Sequence, residues 1–225
     1  MEHAKNKLRI LCLHGFSTNQ KIMMYQTRQW RNYFKDFVEF DYINGKYEIN
    51  SDEFDDPGLK KILEKDECVY SWASWSSSDY ENQLIRDMQY IVDHIEKEGP
   101  YDGLMGFSQG GGMVNSLLQY YHIGKINISS LPKFFIIVNA PFFHLPVGKP
   151  QLDIPTLHFI SPQDQILYDR PLLMTTFYKN PMIISHSHGH KVPRLEPAQI
   201  VDVKKFILNA THQKKNAYFS TQASL

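Results

Sequence analysis

Read for its apolar and polar positions, the chain alternates short apolar runs with longer stretches of helical period. Leu8 to Leu13 is an apolar run closed by His14-Gly15 and predicts a buried strand. From Lys21 to Phe37, apolar residues at Ile22, Met23, Tyr25, Trp30, Tyr33, Phe34 and Phe37 predict a helix. Val38 to Ile43 alternates apolar with polar and predicts a second strand ending at Asn44-Gly45. Lys46 to Lys65 turns acidic and carries Pro57-Gly58, which predicts an irregular excursion with one short helix near Leu59 to Leu63. Asp79 to Lys97 has Leu84, Ile85, Met88, Ile91, Val92 and Ile95 on one face, with Asp79 as N-cap and Gly99-Pro100 as stop. Tyr101 to Phe107 predicts a strand, followed by a helix to about Tyr121. Leu131 to Asn139 and Ile154 to Ile160 are continuously apolar, the pattern of parallel strands covered on both faces. A helical stretch over Asp169 to Tyr178, a strand over Pro181 to Ser185, a loop from His186 to Pro193 and a helix over Leu195 to Thr211 complete the chain.

Strands and helices in alternation, with neither linker nor repeat, predict a single α/β domain over residues 1–212 and a frayed polar tail over 213–225. Its sheet is expected to be mainly parallel with helices on both faces. In such sheets chemistry gathers beyond the carboxyl ends of the strands, where the loops after His14, Ser108, Ile160 and Ser185 all fall.

Charge narrows the partners. The 225 residues carry 24 Lys+Arg against 24 Asp+Glu, so neither a nucleic-acid-binding face nor a polybasic membrane patch is expected. The N-terminal apolar run is too short for a signal peptide or a span and contains Arg9, which predicts a soluble, cytoplasmic protein without membrane insertion. Cys12 and Cys68 are expected to be reduced, buried thiols.

The chemistry centres on Gly106-Phe107-Ser108-Gln109-Gly110, set between a predicted strand and a predicted helix. Such a turn exposes the serine hydroxyl, and small residues two positions before and after it keep strand and helix apart. A serine needs a base, normally a histidine held by a carboxylate. His94, His122 and His212 lie on predicted helices, His158 reads as a satisfied core histidine, and His144 has no carboxylate-bearing loop near it. There remain His186, His188 and His190, whose alternation could instead gather three imidazoles around a metal; a single catalytic histidine is the preferred reading. Asp164 follows a strand, Asp169 starts a helix and is the reserve carboxylate, and Asp153 lies at the wrong end of the sheet. The order Ser108, Asp164, His190 is that of α/β-hydrolases. An oxyanion hole is expected from the backbone N–H groups of Gln109 and Phe16, with His14 bracing the loop. The nearly uncharged stretch Tyr70 to Tyr80, with Trp72 and Trp75, reads equally as a loop pinned by aromatic packing or as a pocket wall. In the second reading it joins Phe142 and Phe143 in an apolar acyl pocket.

Four segments together resemble the family serine hydrolases, the FSH branch of the α/β-hydrolases, over roughly residues 8–208. They are His14-Gly15-Phe16 after the first strand, Gly99 through Gly111, the turn ending in Asp164, and His186-x-x-Gly189-His190-x-x-Pro193. The lead-in Gly99-Pro100-Tyr101-Asp102-Gly103 separates this branch from acyl-protein thioesterases, which share only the pentapeptide around the serine. The resemblance implies an α/β-hydrolase fold, a Ser108–Asp164–His190 triad, and hydrolysis of a small-molecule acyl ester or thioester without cofactor or metal. It leaves two rivals, a lysophospholipase-like acyl-protein thioesterase and a non-catalytic binding homologue. Two residues depart from the family pattern, Gly112 where alanine would be unremarkable, and His188 where the family tends to have glycine.

Overall fold

The computed structural model describes residues 7–49, 61–63, 67–74, 79–143 and 151–212. Six parallel strands form the sheet: β1 (Leu8–Leu13), β2 (Val38–Ile43), β5 (Gly103–Phe107), β6 (Phe134–Val138), β7 (Thr156–Ile160) and β8 (Met182–Ser185). Their order is β2-β1-β5-β6-β7-β8. The direction of winding reverses between β1 and β5, so a crevice opens beyond their carboxyl ends. A separate antiparallel pair, β3 (Tyr47–Ile49) and β4 (Val69–Ser71), lies outside the sheet.

Period-2 alternation divides each apolar run between two cores. Leu11 and Leu13 of β1 face α3 (Tyr80–Glu98) and α4 (Gln109–His122), meeting Met88, Ile91, Met113 and Leu117. Ile10 and Cys12 face the other way, toward Trp30, Phe34, Val203 and Ile207. That second layer is built from α1 (Gln20–Gln26), α2 (Arg28–Phe34) and α6 (Pro197–His212). A short α5 (Arg170–Thr175) follows β7. Among the described residues, no helix is long and apolar enough to cross a membrane.

The single helix expected over Lys21 to Phe37 is two helices, broken at Thr27. The Thr27 hydroxyl donates to Met23 O at 2.8 Å and contacts Tyr42 Oη at 2.6 Å, competing with the helical ladder for a carbonyl. Asp79 takes the N-cap position of α3, yet its carboxylate accepts from Asn82 Nδ2 rather than from a helical N–H. Of the helix expected near Leu59 to Leu63, residues 61–63 form a turn rather than a helix, residues 59 and 60 lie outside the described residues, and so does the whole tail 213–225.

Candidate active site

At the end of β5 the backbone turns through Ser108 at φ 50°, ψ −120°, a conformation non-glycine residues rarely adopt. The turn is tight on every side. A Cβ on Gly106 would lie 2.5 Å from the Gly110 backbone, and one on Gly110 would lie 2.5 Å from Leu13 O. Only glycine lets α4 start this close to β1 and β5.

Ser108, Asp164 and His190 meet here from three separate loops. His190 Nε2 is 2.9 Å from Ser108 Oγ, and His190 Nδ1 is 2.7 Å from Asp164 Oδ2. With the carboxylate as acceptor, Nδ1 carries the ring proton and Nε2 accepts from the serine hydroxyl. The other carboxylate oxygen, Oδ1, accepts the N–H groups of Ile166 and Leu167, both at 2.9 Å. Asp164 is thereby held from two sides in a buried pocket, and the Phe107 ring packs 5.1 Å from the imidazole. Asp169, the reserve carboxylate, is exposed at the N-cap of α5. The alternation of histidines does not gather three imidazoles. His186 is buried, His188 is exposed with its ring tilted against His186 at 5.7 Å, and His190 is directed to Ser108. Among the described residues no three His, Cys, Asp or Glu side chains are grouped as a metal would need.

The loop after β1 lies against the Ser108 turn, since a Cβ on Gly15 would be 3.4 Å from Ser108 Cβ. His14 orients it. Gly45 N–H donates to His14 Nε2 at 2.8 Å, which leaves the proton on Nδ1, and Nδ1 donates to Gly15 O at 2.7 Å. Burial lowers the His14 pKa to about 4, so the ring stays neutral in this role. The Thr18 hydroxyl is a second donor to Gly15 O, also at 2.7 Å. Gly15 C=O and Phe16 N–H belong to one planar peptide unit and point in opposite directions, so clamping the carbonyl fixes where the N–H points. Gln109, the other expected oxyanion residue, opens α4.

Trp72 is not a pocket wall. It is fully buried, lies tilted against the His14 ring at 4.9 Å, and donates its indole N–H to His14 O at 2.7 Å. Its backbone N–H is accepted by Gln109 Oε1 at 3.0 Å, and Gln109 Nε2 donates to Ser71 Oγ at 2.9 Å. One segment therefore pins both the loop after β1 and the first residue of α4, and over residues 70–74, the described run that opens the stretch Tyr70 to Tyr80, it is the pinned loop. Trp75 lies outside the described residues. Behind the segment stands a buried residue that the sequence reading missed, Asp87. Its Oδ1 accepts from Tyr47 Oη, Gln83 Nε2 and Lys46 Nζ, and its Oδ2 from Ser74 N–H. The signal was a carboxylate on the apolar face of α3, one position before Met88.

Phe142 and Phe143 follow β6 and are half-buried, Phe142 edge-on to Phe177 at 5.9 Å. A Cβ on Gly112 would approach the Phe143 ring to 2.7 Å, so this departure from the family pattern makes room for that ring one helical turn beyond Ser108. The His188 ring, the other departure from the family pattern, lies against His186. His158 is buried as expected, but it is not satisfied. Its Nε2 has no hydrogen-bond partner among the described residues, and burial lowers its pKa to about 3. Cys12 and Cys68 are free thiols, the first buried and the second half-buried.

A sequence profile of the serine hydrolase (FSH1) family matches residues 1–200. An esterase of Caenorhabditis elegans is 30% identical over 198 residues, covering 84% of this chain and 88% of its own. Among solved structures, acyl-protein thioesterase 2 of Zea mays superposes with a TM-score of 0.58 at 16% identity, covering 92% of this chain and 95% of that one. A carboxylesterase from Mesorhizobium loti gives 0.59 at 11% identity over 91% and 90%. At such identities the solved structures speak for the fold, which is that of the α/β-hydrolases.

Proposed function

The chain belongs to the serine hydrolase (FSH1) family, and on that premise we propose that it hydrolyses small-molecule acyl esters or thioesters through an acyl-enzyme on Ser108. The observation that carries this reading is the unbroken relay from Ser108 Oγ through His190 to Asp164, at 2.9 and 2.7 Å. Ser108 Oγ attacks the acyl carbon while His190 Nε2 takes its proton. Asp164 keeps the other ring nitrogen protonated and stabilises the imidazolium. Negative charge on the former carbonyl oxygen is received by the N–H groups of Phe16 and Gln109. The imidazolium then protonates the departing alcohol or thiol, leaving an ester on Ser108. Water, deprotonated by His190, attacks that ester and releases the acid, restoring serine. Every proton is handled by the chain's own groups. Phe142 and Phe143, beside Gly112, form one wall for the acyl group.

The preference between ester and thioester belongs to the leaving group, which the relay treats alike. The worm relative is named an esterase and the maize structure a thioesterase, and both classes fit. A fluorophosphonate probe is the direct test. The protein should be labelled at Ser108, and Ser108→Ala should abolish labelling and lower turnover by about three orders of magnitude or more. Labelling that persists in Ser108→Ala would refute the assignment, and absence of labelling in the parent would favour a non-catalytic binding role.

A further inference from the structure

Asn139 closes the apolar run of β6 and is fully buried, with φ at +39°. Positive φ is costly for most residues but tolerated by Asn and Asp. Its carboxamide reaches two other loops. Oδ1 accepts Ser161 N–H at 3.0 Å, while Nδ2 donates to Gly189 O at 3.0 Å and to Lys191 O at 3.1 Å. Those two carbonyls flank His190 on either side. Ser161 begins the turn that ends in Asp164, whose N–H donates back to Ser161 O at 3.1 Å, and Ser161 Oγ accepts Gly189 N–H at 3.1 Å. The amide orientation is unambiguous, because a flip would set oxygen against two carbonyls and nitrogen against an N–H. Nδ2 also lies 3.2 Å from His186 Nε2, and His186 Nδ1 faces His188 N–H at 3.2 Å. Nδ1 accepts that N–H, so the neutral ring carries its proton on Nε2, whose approach to Nδ2 is a contact only, and burial, then the neighbouring His188, lowers the His186 pKa to about 4. A neutral His186 adds no competing positive charge beside the clamp.

We infer that Asn139 is a positioning residue for the reaction, a clamp that grips the backbone on both sides of His190 and ties it to the turn carrying Asp164. It touches neither substrate nor reacting atoms. The inference rests on the Ser108–His190–Asp164 reading and adds the group that holds two of its members in register. The geometry explains why a polar side chain is buried at the end of an otherwise apolar strand, where leaving its groups unpaired would be costly. His190 sits on an exposed loop between β8 and α6, and the distance of Nε2 from Ser108 depends on that loop's backbone.

Asn139→Asp separates the clamp from bulk and backbone. Shape, tolerance of positive φ and the acceptor for Ser161 N–H are retained, while both donors become a charged oxygen facing two carbonyls. With a p-nitrophenyl ester, kcat per fluorophosphonate-titrated site should fall by about 10- to 100-fold, the scale expected for a misplaced catalytic group, with KM within about twofold. Labelling of Ser108 should slow by the same factor. A merely structural role would instead lower the titratable fraction and leave kcat per site unchanged. Should the Asp variant fail to fold, Asn139→Gly suits the backbone, removes the side chain, and should show the same loss in kcat. Parental kcat per site and parental labelling rate in whichever variant folds would overturn the inference. Failure of the parent itself to label at Ser108 would overturn the triad reading first, and is a separate result.

Discussion

Trp72→Phe discriminates between a residue that lines a pocket and one that holds the loop after β1. The indole donates one buried hydrogen bond, 2.7 Å long, to His14 O, and that oxygen also accepts Gly110 N–H at 3.2 Å. Removing the indole N–H therefore weakens the site without orphaning the carbonyl, a loss of about 1 kcal/mol. The smaller ring also leaves a cavity in a fully buried position, worth about 1–2 kcal/mol as a fraction of the 3–5 kcal/mol lost in Trp→Ala changes. A total near 2–3 kcal/mol corresponds to a fall of roughly 5–10 °C in Tm for a chain of this size. Because the ring has no exposed surface, no substrate atom can touch it. A loosened loop after β1 should lower kcat by roughly 3- to 10-fold, short of the 10²–10³ for losing an oxyanion donor outright. The assay pairs thermal unfolding with kcat and KM across p-nitrophenyl esters of increasing acyl length. The reasoning predicts a lower Tm, a uniform drop in kcat and an unchanged order of chain-length preference. An altered preference at parental Tm would show that the indole contacts substrate and would refute it.

Thr18→Val removes one of the two donors on Gly15 O while keeping the side chain's shape, so kcat should fall about 10-fold with KM nearly constant; a parental kcat in the variant would contradict the clamp. Gly112→Ala forces a methyl to within 2.7 Å of the Phe143 ring and should cost about 1–3 kcal/mol in urea unfolding, with the largest kinetic effect on long acyl chains; parental stability and chain-length profile would show that Phe143 yields freely. Acid should destabilise the fold through His14, His158 and His186, whose pKa values of about 4, about 3 and about 4 lie below the unfolded value near 6.5. The unfolded chain takes up these three protons as pH falls below about 6.5 while the folded chain resists, so stability is complete above that pH and is lost below it, at up to about 4 kcal/mol per pH unit. His158→Leu should remove about one proton from that slope, and a slope unchanged from the parent would assign the uptake elsewhere.

Local signals revealed much of the site. The Ser108 turn is written in consecutive residues because its strain and its close approaches arise within five positions, and glycine is the residue that relieves them. The order of strands carrying Ser108, Asp164 and His190 follows from apolar runs of the right length. Elsewhere the partners are remote. The nearly uncharged, aromatic-rich composition around Trp72 marks the segment, yet its anchor is 58 residues away on His14, and pinned loop and pocket wall look alike in sequence. Gly112 looked gratuitous until Phe143 was seen above it. Thr27 carried no breaker signal, because what stops the helix is a hydroxyl choosing a carbonyl and the Tyr42 side chain over solvent.

The sequence by itself determined the strand and helix types, the tight turn at Ser108, and the family, since each depends on backbone preferences and spacing within a few residues. Only the tertiary structure decided which side chains hold those pieces in register. The Asn139 clamp joins residues 50 apart and the His14 brace joins residues 31 apart. Period-2 and period-3.6 patterns say which face a side chain takes, but the winding of the sheet decides what waits there.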